Sequence, residues 1–226
     1  MSVLNSPQVS KLLDYLFAEA ARNDPAAFER FDNAESKLSH PATGPLRAEL
    51  MRDIYMPVTP DVGRLLYILA RNRRAKTIIE FGTSFGISGI HLAAALRDGG
   101  GGRLITSELN ATKAARAKAN FQAAGLDDLI EIRVGDAFET LKSDVGGPID
   151  VVLLDGWKEL YLPMLKFLEG QLSAGAIIVA DDLDVEPNDI APYLDYVRSA
   201  KNGYVSVEFP IGDRLEVSLR SEGMHS

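Results

Sequence analysis

The stretch from Thr77 to His91, T-I-I-E-F-G-T-S-F-G-I-S-G-I-H, limits most sharply what this chain can fold into. A short apolar run, Ile78-Ile79, ends in the acid Glu80, turns through Gly82 and Gly86, and enters a helical pattern at Ile87, Ile90, Leu92 and Leu96. A strand, a glycine turn and a helix in that order place the turn at the carboxyl end of a strand in an open α/β sheet. There glycines admit close backbone approach and the helix N-terminus offers free N–H groups to a ligand. The dinucleotide fingerprint needs glycines at the first, third and sixth positions, whereas here they fall at the first and fifth. A pyrophosphate cradle is therefore disfavoured, and with it a nicotinamide dehydrogenase.

The remaining pattern alternates in the same way. Strands are predicted over 104–108, 130–134, 149–154 and 176–180, with helices over 64–72, 111–124, 160–169 and 190–200 between and after them. Residues 149–154 form the near-continuous apolar run of a central parallel strand. Residues 204–209 and 214–219 alternate and read as a closing antiparallel hairpin. Pro57 and Pro60 fix 56–63 as an extended connection. Ahead of it, one helix over 6–22 is expected to stop at Asn23-Asp24-Pro25, followed by helices over 26–38 and 46–55. The expected division is a helical cap or dimer surface, 1–55, and an α/β domain, 56–226.

Composition narrows the chemistry. The chain has 226 residues, 46% hydrophobic and 25% charged, which suits a compact globular unit with a sizeable core. With no cysteine, thiol nucleophiles and cysteine zinc sites are excluded, and His40, His91 and His225 lack ligand-like spacing, so any metal is held by oxygen. The net charge of -8 and the absence of a clustered basic face argue against a nucleic-acid partner. Nothing at the start reads as a signal, and no run approaches a membrane span, so a cytoplasmic location is expected.

The acids fall at strand ends. Glu108, 22 residues past Gly86, stands where α/β nucleotide sites hydrogen-bond a ribose diol. Asp136 ahead of Ala137 suits either a helix cap or an adenine amino group. If the fourth and fifth strands are neighbours, Asp155, Asp181 and Asp182 converge beside the glycine turn, where three such acids repel unless a cation sits among them. Mg2+ fits first, with Mn2+ or Ca2+ as alternatives.

The E-x-G-x-x-x-G turn resembles motif I of class I S-adenosylmethionine (SAM) methyltransferases. D-G-W-K-E-L-Y at Asp155 to Tyr161, with A-D-D at Ala180 to Asp182, is similar to the metal-dependent catechol O-methyltransferase family and its bacterial small-molecule relatives. The resemblance implies a Rossmann-like α/β fold with a seven-stranded, mostly parallel sheet, a terminal antiparallel hairpin and an N-terminal helical extension. It implies Glu80, Gly82 and Ser88 around the methionine moiety of SAM, Glu108 on the ribose, and Asp136 and Ala137 near the adenine. It also implies Val58 and Asp155 at the cofactor, Met56 and Trp157 at the acceptor, Asp155, Asp181 and Asp182 on Mg2+, and Lys158 as general base. The expected reaction moves a methyl group to a hydroxyl of a small phenolic or catechol-type acceptor, in a homodimer. Asp182 departs from the family's usual asparagine, Gly156 from a histidine of the catechol enzyme, and neither Glu208 nor Glu216 matches its late substrate-contacting glutamate. The rival readings are a metal-independent SAM methyltransferase and a non-catalytic SAM-binding protein.

Overall fold

The computed structural model describes residues 2–221. Strands β1 (Thr77–Phe81), β2 (Arg103–Glu108), β3 (Ile130–Val134), β4 (Ile149–Leu154) and β5 (Leu172–Ala180) run parallel, and β6 (Tyr204–Phe209) and β7 (Leu215–Arg220) form the antiparallel hairpin. The sheet order is β3-β2-β1-β4-β5-β7-β6, so the chain reverses direction across the sheet between β1 and β4, where open α/β sheets take their ligands. This is the seven-stranded, mostly parallel arrangement expected from the sequence. The helices are α1 (Pro7–Glu35), α2 (Gly44–Leu50), α3 (Pro60–Arg73), α4 (Ile87–Asp98), α5 (Ala111–Ala124), α6 (Ala137–Thr140), α7 (Tyr161–Leu168) and α8 (Pro187–Arg198).

Alternation along the strands feeds a core on each face of the sheet. Ile78, Leu104 and Val151 pack with Val9, Leu66, Ile90 and Phe121 of α1, α3, α4 and α5. Their neighbours Ile79, Ile105 and Val152 pack with Leu141, Leu165 and Ile190 on the other face. Each such side chain, fully buried, contributes roughly 1.5–3 kcal/mol.

Several boundaries differ from the sequence expectation. The first two helices are one: α1 runs through Asn23-Asp24-Pro25 for 29 residues. An interior proline costs about 3 kcal/mol, and tertiary contacts on both sides of it hold the helix. Ala20 and Ala27 are buried, and the Asp24 carboxylate accepts from the backbone N–H groups of Tyr55 and Met56. The third helix, α2, ends at Leu50, short of the expected residue 55. Pro60 begins α3 instead of extending the connection, because it occupies the first turn with Thr59 capping Val62 N. β5 begins at Leu172, four residues ahead of the expected 176, and passes through Gly175 in a left-handed conformation with a register shift against β4.

The register brings the strand ends level. Phe81 pairs with Ser107 and with Leu154, and Leu154 pairs with Ala180. The next residues, Glu108, Gly82, Asp155 and Asp181, therefore form one row across four strands, spanning about 14 Å at the usual strand spacing. Gly82 has φ +106, and a Cβ there would overlap the Asp155 carbonyl oxygen. Gly82→Ala is expected to cost about 2–4 kcal/mol from overlap and backbone strain, read as a fall in thermal midpoint. A midpoint equal to wild type would remove Gly82 from this role.

Candidate active site

A narrow pocket opens on the β1 side of the row, lined by Tyr55, Met56, Pro57, Val58, Thr83, Ser84, Phe85, Ile87, Ser88 and Asp155. Of the residues singled out from the sequence, Met56, Val58, Ser88 and Asp155 line it, and Glu80, Gly82, Glu108, Asp136 and Ala137 stand outside its wall. Glu80 lies beneath. It is fully buried, its Oε1 accepts from Ser88 Oγ at 2.6 Å, and its Oε2 accepts from the hydroxyl of Thr106, its register partner on β2, at 2.5 Å. Burial pushes its carboxyl up to about 7 despite those two donors. Glu80 thus reaches the pocket through Ser88 and, by way of Thr106, through Thr83.

Glu108 is held at the end of β2, accepting from Ser84 N and Asn110 N, both at 2.8 Å, and burial raises its carboxyl. Asn110, not Glu108, caps α5 through Thr112 N and Lys113 N. Asp136 Oδ1 caps α6 at Phe138 N, which leaves its second oxygen for another partner. The sequence reading passed over Thr83, Ser84 and Phe85, although they lie inside the glycine turn itself. It also passed over Lys113, whose buried ammonium stands 3.4 Å from Ser84 Oγ.

The other half of the row carries the charged cluster. Lys158, in a short turn after β4, is buried, and Nζ donates to Tyr161 Oη at 2.7 Å, the Asp181 carbonyl at 3.3 Å and Asp182 Oδ2 at 3.2 Å. Tyr161 Oη donates in turn to the Asp181 carbonyl, so the fully buried phenol fixes the lysine. Trp157, like Phe31, packs against the cluster of Ala27, Met51 and Ile54, with the Arg47 guanidinium 4.2 Å from its ring centroid. The loop after β5 is held from three directions. Asp182 meets Lys158, Asp184 meets Arg214 at 2.8 Å, and Glu186 meets Arg47 of α2 at 2.8 Å. Asp182 and Glu186 both adopt left-handed backbone conformations. Glu208 and Glu216 are turned to Arg198 of α8, and Glu216 is fully buried.

Burial and the charges of Asp181 and Asp182 raise Asp155 well above the carboxylate range, and burial with the Asp182 charge pushes Asp181 up to about 7. That strain is what a divalent cation relieves, and an all-oxygen donor set suits a hard ion. Asp182 is engaged by Lys158, however, and among the described residues no three acidic or histidine side chains gather as a ready cage. His91 is buried inside α4 on the Ile87 carbonyl and kept neutral, His40 is exposed, and His225 lies outside the described residues. Among the described residues no helix is long and apolar enough to cross a membrane.

A methyltransferase-domain family model matches residues 79–183. The catechol O-methyltransferase of Mycobacterium tuberculosis is 36% identical over 136 residues, 60% of this chain and 60% of that one. The catechol O-methyltransferase of Sus scrofa is 33% identical over 135 residues, 57% of this chain and 71% of that one. The chain thus spans three fifths of the length of the mycobacterial relative. The solved O-methyltransferase from Bacillus cereus, in complex with SAH, superposes with a TM-score of 0.67 at 20% identity, covering 84% of this chain and 96% of that one, a likeness of fold.

The buried Glu80 gives the fold a measurable pH dependence. An acid lifted from 4.5 to about 7 keeps its proton in the fold while the unfolded chain releases it. Its contribution is full below pH 4.5 and is lost as pH rises to about 7. Glu80→Gln should flatten that decline, gaining about 2 kcal/mol on wild type between pH 5 and pH 8 in denaturant unfolding. Parallel curves for the two proteins would clear Glu80 as the source.

Proposed function

Because this chain belongs to the catechol O-methyltransferase-like family of class I methyltransferases, we propose that it transfers a methyl group from SAM to one hydroxyl of a small phenolic or catechol-type acceptor. A divalent ion, Mg2+ first, is held by Asp155, Asp181 and Asp182, and Lys158 is the base. The observation that carries this reading is Asp155, which lines the pocket beside the glycine turn and shares its electrostatics with Asp181, Asp182 and Lys158. One carboxylate therefore joins the cofactor half of the row to the acceptor half.

The cofactor supplies a methyl group on a sulfonium, and the ion supplies the positive charge that lowers the pKa of an acceptor hydroxyl. Lys158 acts as base from its neutral amine, taking the hydroxyl proton onto the Nζ lone pair, so the ammonium first releases one proton to solvent and with it one of its three present contacts. Asp182, the most exposed of them, is that contact. Tyr161 and the Asp181 carbonyl keep the amine aimed while Trp157, under Arg47, walls the acceptor side. Orientation of the two reactants then supplies most of the acceleration. The engagement of Asp182 by Lys158 favours a second reading, a metal-independent methyltransferase in which the three acids are structural.

The first 55 residues form the roof in this proposal, and their surface joins two copies. The apolar stripe of α1 at Val9, Leu13 and Leu16 is spent on the chain's own core, which leaves Tyr15, Phe28 and Leu38 exposed for that contact. A dimer mass is expected in light scattering, and a monomer at micromolar concentration removes this part.

Methyl transfer to catechols should stop in EDTA and return with Mg2+. Lys158→Ala should lower kcat about 10²–10⁴-fold. Asp182→Asn should keep turnover while raising the ion concentration it needs. Methylation at the full rate in EDTA transfers the assignment to the metal-independent reading.

A further inference from the structure

We propose that Asp24 is a positioning residue for the cofactor, fixing residues 55–58 as the wall of the pocket from its place in the middle of α1. The inference rests on the reading of that pocket as the SAM site. One carboxylate spans two consecutive amides: Asp24 Oδ1 accepts from Tyr55 N at 2.8 Å and Oδ2 from Met56 N at 2.9 Å. Met56 has φ +44, a left-handed conformation that a side chain disfavours, so the segment needs an outside hold to stay in it. The hold continues inward. The Tyr55 carbonyl accepts from Ser84 Oγ at 2.7 Å, and Ser84 N donates to Glu108 Oε2 at 2.8 Å. Asp24 is thereby tied through Tyr55 and Ser84 to the acid placed for the ribose.

The same segment is a partition. The Tyr55 and Phe85 rings stack with centroids 3.7 Å apart and planes 11° from parallel. Both rings line the inner pocket, about 230 Å³ counted to its open mouth, and both line an outer groove of about 1070 Å³ between α1 and α5. Asp24 holds that partition in place at the cofactor pocket. An apparent affinity scales with the fraction of molecules that hold the binding-competent arrangement. Loosening the clamp weakens SAM binding without touching the cofactor.

Calorimetry with SAM on Asp24→Ala and Asp24→Asn tests this. Asp24→Ala should raise Kd about tenfold or more, and Asp24→Asn, which keeps one oxygen acceptor, should raise it about threefold. KM for SAM should rise with it while kcat at saturating SAM stays near wild type. Amide exchange at Tyr55 and Met56 should quicken in both variants. If Asp24→Ala does not fold, Asp24→Asn alone decides. Wild-type Kd in the variants, or a lowered thermal midpoint with no change in Kd, overturns the inference and leaves the SAM pocket standing. A wild type that binds no SAM while its Tyr55 and Met56 amides stay protected overturns the pocket reading and this inference with it.

Discussion

The ends of β1 and β4 meet backbone to backbone, and the rest of the edge takes its level from that contact. Gly82 leaves no side chain between itself and the Asp155 carbonyl, and Gly156 leaves room for the Phe81 ring on the return. Two glycines on neighbouring strands thus accommodate each other's chain. The ladder runs on past the strand ends through Asp155 N to the Phe81 carbonyl and Asp181 N to the Leu154 carbonyl. Were the two ends a side chain further apart, Asp155 would face either the pocket or the lysine, and the two halves would lose their common member.

Burial at that edge sets the charge states. Glu80 and Asp181 are both pushed up to about 7, yet for different ends. Glu80 is satisfied by two hydroxyls and has no opening, so its strain orients Ser88. Asp155 lines the pocket and Asp181 is buried next to it in the row, and like charges beside each add to the lift that burial gives. Lys158, itself buried, sits beside them, its Nζ donating to Tyr161 Oη, the Asp181 carbonyl and Asp182 Oδ2.

The fold was legible because it is written locally. Apolar runs, glycine turns and the hairpin each occupy a short window, and their alternation implies a mostly parallel sheet. The D-x-W-K run and the strand-end acids could be placed on one edge for the same reason. What escaped the sequence depends on partners far along the chain. Asp24 meets Tyr55 from 31 residues away and Arg47 meets Glu186 from 139, and neither separation leaves a pattern to read. Asn23-Asp24-Pro25 carries every local sign of a helix end, and it is overruled by contacts to a segment the helix has not yet reached.

The loop that follows β5 shows how far its parts are bound to the rest of the molecule. Its acids at 182, 184 and 186 are each answered from a different part of the chain: the turn after β4, the end of the hairpin and the roof helix. Such a loop is not a cassette. Grafted alone into a relative, it would arrive with three carboxylates and none of their bases, two of them on backbone that resists its own conformation. Transplantation of this loop must therefore carry Lys158, Arg214 and Arg47 along with it.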